Sequence, residues 1–421
     1  MKDLPNWLED KTSSFRSVIL FRVYILSILI TKTAFQARDA NIRLEHVSWI
    51  ILLWFIYVNR NLRGYSALRI RSPYATIIFC WLFLASIVSL YFTLYPLKSL
   101  WILYQITVGI VTFVLLVKNP YKDFIYQQFY VVINFLMKFY VIVYLIYTFN
   151  LVPLSFNLII IERLTGFSYE PNILGGMAMA WIGLMYIYEK GKPLSLASCI
   201  NYSCATLVVL GSGTRAAMVS LIFFSFYVLI EKLKRQQLLP LMNLFLLAPV
   251  AVAVYIIFIG QWSVSTLSSN IGRITSAFDL SAQTFQYRLN VSAIAIQDIK
   301  DFSTARLLFG DGLNSFSQTY QIDISKVESA YLSNLFLGIV HDTGILGFLL
   351  FLSFILSLFH ISVIHTRRSV VFWFSFFVCT FTTNSTWFVY TWVFIALAVR
   401  LNSNSSTETT NLSNKTWRIR N

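Results

Sequence analysis

The chain has 421 residues, of which 57% are hydrophobic and only 12% charged, with a mean hydropathy of +0.67. A soluble protein of this length carries about twice that charged fraction, so the composition excludes an ordinary water-soluble domain. The net charge of +15 does not read as a nucleic-acid footprint, because the basic residues fall mostly in short loops, where they orient a chain in a bilayer and meet anionic lipid.

Apolar runs follow one another at 17–31, 44–58, 74–94, 98–117, 127–149, 173–188, 193–210, 215–231, 238–260, 343–364, 369–382 and 386–400. They approach or match the 20 or so residues that cross a bilayer as helix. The expected fold is therefore all-α and polytopic, with about 12 spans in a single transmembrane domain over 1–400. No small-residue cleavage site follows the first run, so it reads as a span rather than a signal peptide. The last two runs are the alternative halves of one hairpin broken at Thr382–Thr386. With the N-terminus inside, the inner segments hold twenty Lys and Arg and the outer segments eleven, five of these in one long loop. That bias places both termini in the cytoplasm and the segment 261–330 outside. The outer region 261–342 is expected to contain an amphipathic helix and a re-entrant helix, and 401–421 a disordered cytoplasmic tail, Asn/Ser/Thr-rich over 402–414. The apolar part of a second outer segment, 151–161, is too short to span and is expected along the interface.

The four cysteines fall inside predicted spans and read as small packing residues, with no disulfide framework or metal site. The 23 Tyr and 37 Phe read mainly as lipid-facing and interfacial rings. A few near the outer surface (Trp262, Phe285, Tyr287, Tyr320, Tyr331) have the alternative of stacking on sugars.

Several residues stand where chemistry is expected. Arg215 opens a span just after Gly211-Ser212-Gly213, at a helix N-terminus that already favours an anion. Arginine there makes a bidentate phosphate site, the alternative being a snorkelling cation. Arg288 lies in a stretch, 282–300, whose apolar spacing suggests an amphipathic helix at the membrane surface, where a headgroup contact is the simpler role. Asp311 sits between two glycines in a tight turn and is a candidate for accepting a proton or binding a sugar hydroxyl, or simply for making the turn. Glu328 and His341 flank the return into the membrane, with 329–341 as a half-helix at the base of a cavity; either is a candidate base. Lys138 lies near the middle of its span, where it either snorkels or faces an internal cavity and holds lipid phosphate. The sequence lacks a nucleotide-binding glycine loop, an HExxH and an Asp-X-Asp pair, so a transferase built on it needs a pre-activated donor, with arginines rather than a metal stabilising the departing phosphate.

Four segments in order carry a resemblance. They are Glu170-Pro171-Asn172-Ile173-Leu174-Gly175, Leu210-Gly211-Ser212-Gly213-Thr214-Arg215-Ala216-Ala217, Tyr287-Arg288 followed by the run Leu308–Phe316, and Asp342-Thr343-Gly344-Ile345-Leu346-Gly347-Phe348. Together they resemble the O-antigen ligase/O-antigen polymerase family of bacterial inner-membrane glycosyltransferases, over about 170–360. The resemblance implies a metal-independent inverting transfer of glycan, without cofactor, from a polyprenyl-diphosphate carrier to an acceptor hydroxyl on the outer face of the plasma membrane. Arg215 and Arg288 match family arginines thought to hold the diphosphate. The family's ligases carry His-Asn-x-Tyr-Leu before the last segment. The ungapped match here is Ser333-Asn334-Leu335-Phe336-Leu337, which keeps Asn334 as a substrate-binding position; a five-residue insertion instead aligns Glu328-Ser329-Ala330-Tyr331-Leu332. The ligase histidine is missing either way. That favours a polymerase joining lipid-linked repeat units, with chain-length-regulator or flippase partners, over a ligase. A twelve-span flippase or transporter is the reading from another class; the inverted or parallel repeats common in that class are not visible here.

Overall fold

The computed structural model describes residues 11–37, 40–58, 73–93, 96–118, 122–148, 158–160, 163–190, 195–234, 283–320 and 332–402. The expected span at 238–260, the first part of the long loop with Trp262, Glu328, Tyr331 and the tail from 403 lie outside these residues.

Helices form where uncharged apolar runs leave the backbone no better partner than itself. In chain order they are α1 (Lys11–Leu29), α2 (Glu45–Val58), α3 (Pro73–Tyr91), α4 (Pro96–Lys118), α5 (Lys122–Thr148), α6 (Pro171–Tyr188), α7 (Leu196–Ser212) and α8 (Arg215–Lys234). After the long loop come α9 (Gln283–Lys300), α10 (Thr304–Phe309), α11 (Ser315–Thr319), α12 (Leu335–His365), α13 (Ser369–Thr382) and α14 (Val389–Asn402). Among the described residues four helices, α3, α4, α5 and α12, are long and apolar enough to cross a membrane, and shorter apolar helices accompany them. This is consistent with a helical membrane protein. The all-α expectation misses two small antiparallel hairpins, β1 (Thr33–Ala37) with β2 (Ala40–Arg43) and β3 (Ile159–Ile160) with β4 (Arg163–Leu164). Both are connectors too short to show a clear alternation of apolar and polar residues. The second takes up part of the segment expected along the interface.

α6 and α14 form the middle of the array. α14 is buried throughout from Val389 to Val399 and packs on α4, α6 and α12; α6 is buried on nearly every side between α7, α8, α13 and α14. Each is apolar all round, as a helix surrounded by others must be. Among the described residues a good part of the rings are buried between helices: Trp81, Trp181, Trp373, Trp392, Tyr24, Tyr126 and Tyr140 are among the largest fully buried side chains. Tyr126 stacks on Tyr188 at 4.1 Å and on Trp181 at 5.8 Å. Flat side chains of this size fill the gaps between helices that small residues alone would leave open.

Hydrogen bonds at the helix ends sort them into two faces. On one face the end of α1 meets the start of α6, where Thr31 accepts from the Tyr169 amide at 2.9 Å. There too the start of α2 meets the start of α14, where Glu45 accepts from the Val389 amide at 2.9 Å. Glu45 also pairs with Arg43 at 2.9 Å, and both are buried. On the opposite face Arg368 bonds Glu231 at 2.8 Å, Tyr186 donates to the same carboxylate, and Arg400 donates to the Val117 carbonyl. Successive helices therefore run alternately up and down. The segments α9, α10 and α11 all attach to the first face.

Candidate functional site

Two junctions on the first face bring the four sequence segments together in pairs. In the first, the α7–α8 turn closes on the start of α6. Gly213 ends α7 in the left-handed region at φ 60°, where a side chain other than Gly or Asn is disfavoured. Ser212 donates to Thr214 at 3.0 Å, and Thr214 donates to the Pro171 carbonyl at 3.0 Å. Arg163, from β4, spans the junction: its Nε donates to the Ser212 carbonyl at 2.8 Å and one Nη to Asn172 at 2.9 Å. Arg215, half-buried, is the first residue of α8. A guanidinium at the positive end of a 20-residue helix reinforces the helix dipole rather than opposing it, which is the arrangement expected where an anion is to be held.

In the second junction, Gly310-Asp311-Gly312 docks on a break in α12. Gly344 interrupts that helix at φ 67°, ψ −173°. Beside the break, the His341 carbonyl accepts the Asp311 amide and the Asp342 carbonyl accepts the Gly312 amide, both at 3.0 Å. The Asp342 carboxylate accepts the Asn314 amide at 2.9 Å. Leu313 is pinned from both sides, its amide donating to Ser89 at 3.1 Å and its carbonyl accepting from Ser99 at 2.7 Å. A Cβ on Gly310 would lie 2.5 Å from the Asp342 carbonyl group, and one on Gly344 would overlap the Leu308 carbonyl. The two chains meet backbone to backbone.

His341 lies behind this junction and is completely buried. Its Nε2 is 2.8 Å from an Asp298 oxygen and its Nδ1 3.2 Å from the Ser315 hydroxyl, with Asp342 at 3.8 Å. The edges of Phe302 and Phe316 close over the ring at 5.3 and 5.4 Å. Both nitrogens are occupied and no surface is open to a substrate, so the histidine expected at the base of a cavity is an internal partner of Asp298. Asp311 is also buried and lies 3.3 Å from the Arg306 Nε. Burial pushes its carboxyl above the ordinary value, Asp298 and Asp342 add to this, and the Arg306 and His341 charges oppose it.

The remaining expected positions fall as follows. Arg288 is half-buried on α9, a helix that packs on α12, while α8 with Arg215 packs on α6, α7 and α13. Arg288 thus lies on the helix that carries Asp298, and Arg215 follows the turn that Arg163 spans. Asn334 caps α12, its side-chain oxygen accepting the Phe336 and Leu337 amides at 3.0 and 3.3 Å. Lys138 is exposed on α5, next to the buried Met137 and the half-buried Phe139, so it is not enclosed in an internal cavity. The expected half-helix at 329–341 and the span from 343 are the two parts of α12: a first helix capped by Asn334 and starting at Leu335, then a second after the non-helical Gly344. Tyr287 is exposed, and Tyr320 packs at a tilt against Phe316, ring centres 4.8 Å apart. The four cysteines are free thiols.

Sequence reasoning missed Arg163, Asp298 and Ser315 as site residues. Asp298 had a usable signal. It lies ten residues after Arg288 on one helix, and the positions 288, 291, 295 and 298 fall within about 80° of arc. Arg163 had a weaker one, as the one cation of its outer segment. No protein-family model matches the chain and no curated protein matches it, so the functional reading rests on its own residues.

Proposed function

We propose that the chain is a polysaccharide polymerase, transferring glycan from a polyprenyl-diphosphate carrier to the hydroxyl of another lipid-linked repeat unit at the outer face of a bacterial plasma membrane. In this reading it crosses the membrane about 12 times with both termini inside. The observation that carries the proposal is the pairwise closure of the four segments. The start of α6 locks onto the Arg215 turn through Thr214 and Arg163, and the glycine turn at 310–312 locks onto the break in α12. Segments more than a hundred residues apart are thereby held on one face of the helical array, as a site requires.

Arg215, at the start of α8 beside Arg163, is the donor-diphosphate residue, and Arg288 on α9 is the second cation. Negative charge grows on the diphosphate as the glycosidic bond breaks, and fixed guanidinium groups stabilise it. A carrier lipid enters sideways from the bilayer. The test is elongation of lipid-linked repeat units by the purified protein in lipid nanodiscs. Wild-type protein lengthens the glycan, and Arg215→Ala abolishes lengthening while remaining in the membrane. Normal polymer from that variant removes the mechanism. Accumulation of single repeats when the gene is lost identifies a polymerase, whereas accumulation of long carrier-bound polymer identifies a ligase.

A further inference from the structure

We propose that Asp298 is the general base that takes the acceptor hydroxyl's proton, and that His341 is the residue that positions it. This rests on the transferase reading above.

Three observations lead to it. First, His341 is 0% exposed, with Asp298 on one nitrogen and Ser315 on the other. A base must come within hydrogen-bond reach of the proton it abstracts, and no substrate reaches this ring. Second, Asp298 is the open end of the same pair. Its side chain is 23% exposed, its Oδ2 is engaged by the imidazole 2.8 Å away, and the carboxylate also accepts from the Tyr320 hydroxyl, which leaves a carboxylate's remaining lone pairs for an acceptor hydroxyl. The pair has the form in which a buried, oriented partner fixes a working group, here with the histidine as the anchor and the carboxylate as the presented face. Third, Asp298 shares a face of α9 with Arg288. Val291 and Ala295 between them are buried against the loop-side core, so the stripe carrying both ends faces inward. The two residues stand about 15 Å apart along the helix axis at 1.5 Å per residue. One helix therefore carries a cation and the carboxylate on the same side.

The step balances without a further reagent. The acceptor oxygen forms a bond to the anomeric carbon, and the bond from that carbon to the phosphate oxygen breaks. The electron pair leaves with the polyprenyl diphosphate. The hydroxyl proton passes to the Asp298 carboxylate and from there to solvent. His341, held in place by Ser315 and flanked by Asp342, keeps the carboxylate aimed throughout. The other ionisable groups around the pair are Asp311, Arg306, Asp301 and Tyr320.

The test uses the full-length protein in nanodiscs with lipid-linked repeat units. Asp298→Asn keeps the size of the side chain and an oxygen for His341. It is expected to lower kcat about 100-fold, as loss of a general base does, with KM for the donor within about twofold. Asp298→Ala is expected to regain activity when formate is added, because a small carboxylate can take the vacated place; a residue needed only for folding shows no such rescue. Wild-type turnover in Asp298→Asn overturns the proposal, as does a rise in donor KM that accounts for the whole loss. If Arg215→Ala abolishes transfer while Asp298→Asn does not, the transferase reading stands and this assignment falls. If the wild-type protein performs no transfer, both fall.

Discussion

Replacing Gly344 with alanine should undock the 308–316 turn from α12, and the size of the effect follows from the geometry. Gly344 has φ 67° and ψ −173°, a region that only glycine occupies comfortably, at a cost of about 1–3 kcal/mol for another residue. The new Cβ would also overlap backbone atoms of Leu308 and Phe309, which cannot swing aside as the end of a side chain can. Overpacking of this kind costs about 1–3 kcal/mol. The two together come to about 2–6 kcal/mol, which lowers the ratio of docked to undocked turn by at least about 30-fold at 1.4 kcal/mol per factor of ten. Hydrogen exchange of a peptide covering 308–316 reads the change directly, because the Asp311, Gly312 and Asn314 amides are all bonded to α12. They are expected to exchange faster by that factor in Gly344→Ala, and α6 peptides to remain unchanged. Gly338→Ala is the control. Its Cβ meets its nearest neighbour, the Asn384 amide nitrogen, at 3.5 Å, and alanine gains about 1 kcal/mol of helix propensity over glycine. Wild-type protection of 308–316 in Gly344→Ala would refute the claim that this junction depends on backbone contact.

Two further outcomes test the neighbouring structure. Arg163→Lys keeps the charge but not the fork that reaches both the Ser212 carbonyl and Asn172; losing one such bond costs about 1.5–3 kcal/mol, and glycan transfer is expected to fall roughly tenfold or more, measured in the nanodisc assay. Glu45→Ala strands Arg43 in the interior, a change that costs about 3–5 kcal/mol. Heating in detergent should show a clearly lower Tm, and the apolar pair Arg43→Met/Glu45→Leu should recover most of it.

Much of the architecture was legible because uncharged runs leave little choice. The run 369–382 is α13 to the residue, and the amphipathic stretch 282–300 is α9, Gln283–Lys300. Helix period implied an amphipathic α9 at the membrane surface; Leu289, Ile294 and Ile296 are indeed exposed, while Val291 and Ala295 pack into the protein. What it could not show was the identity of the element covering the latter two. The His341–Asp298 contact joins residues 43 apart, and the Arg163–Ser212 contact residues 49 apart, with no local pattern linking either pair. His341 was expected at a cavity because an ionisable residue at membrane depth invites a functional reading. The competing rule, that a buried polar group finds partners, decided its place. Asn334 followed the same course, since a side-chain oxygen at the start of a helix is first claimed by the unpaired amides there.

The distribution of polar groups between the faces argues for where the chemistry lies. On the face opposite the two junctions, charges pair with one another at the helix ends, as Arg368 does with Glu231, and this is what short loops require for orientation and solubility. Polar residues are buried at both ends of the array, Ser362, Thr366 and Ser369 on that face among them, but the junction face also buries ionisable groups. Thr383, Asn384, Ser385 and Thr386 form a buried, non-helical link between α13 and α14, closed by Asn384 accepting from Thr386 at 2.7 Å and by Thr386 accepting from the Trp392 indole at 2.8 Å. Irregular backbone at membrane depth survives only inside protein or against a water-filled space. Arg43, Glu45, Ser212, Thr214, Asp311, His341 and Asp342 are likewise buried on this side. Each of these groups costs desolvation energy that an apolar residue would not. A helical array that only had to hold together would gain stability by replacing them. Ser212, Thr214, Asp311, His341 and Asp342 of this set lie where the separated segments meet, and there the polar groups are held by one another and by backbone rather than by water.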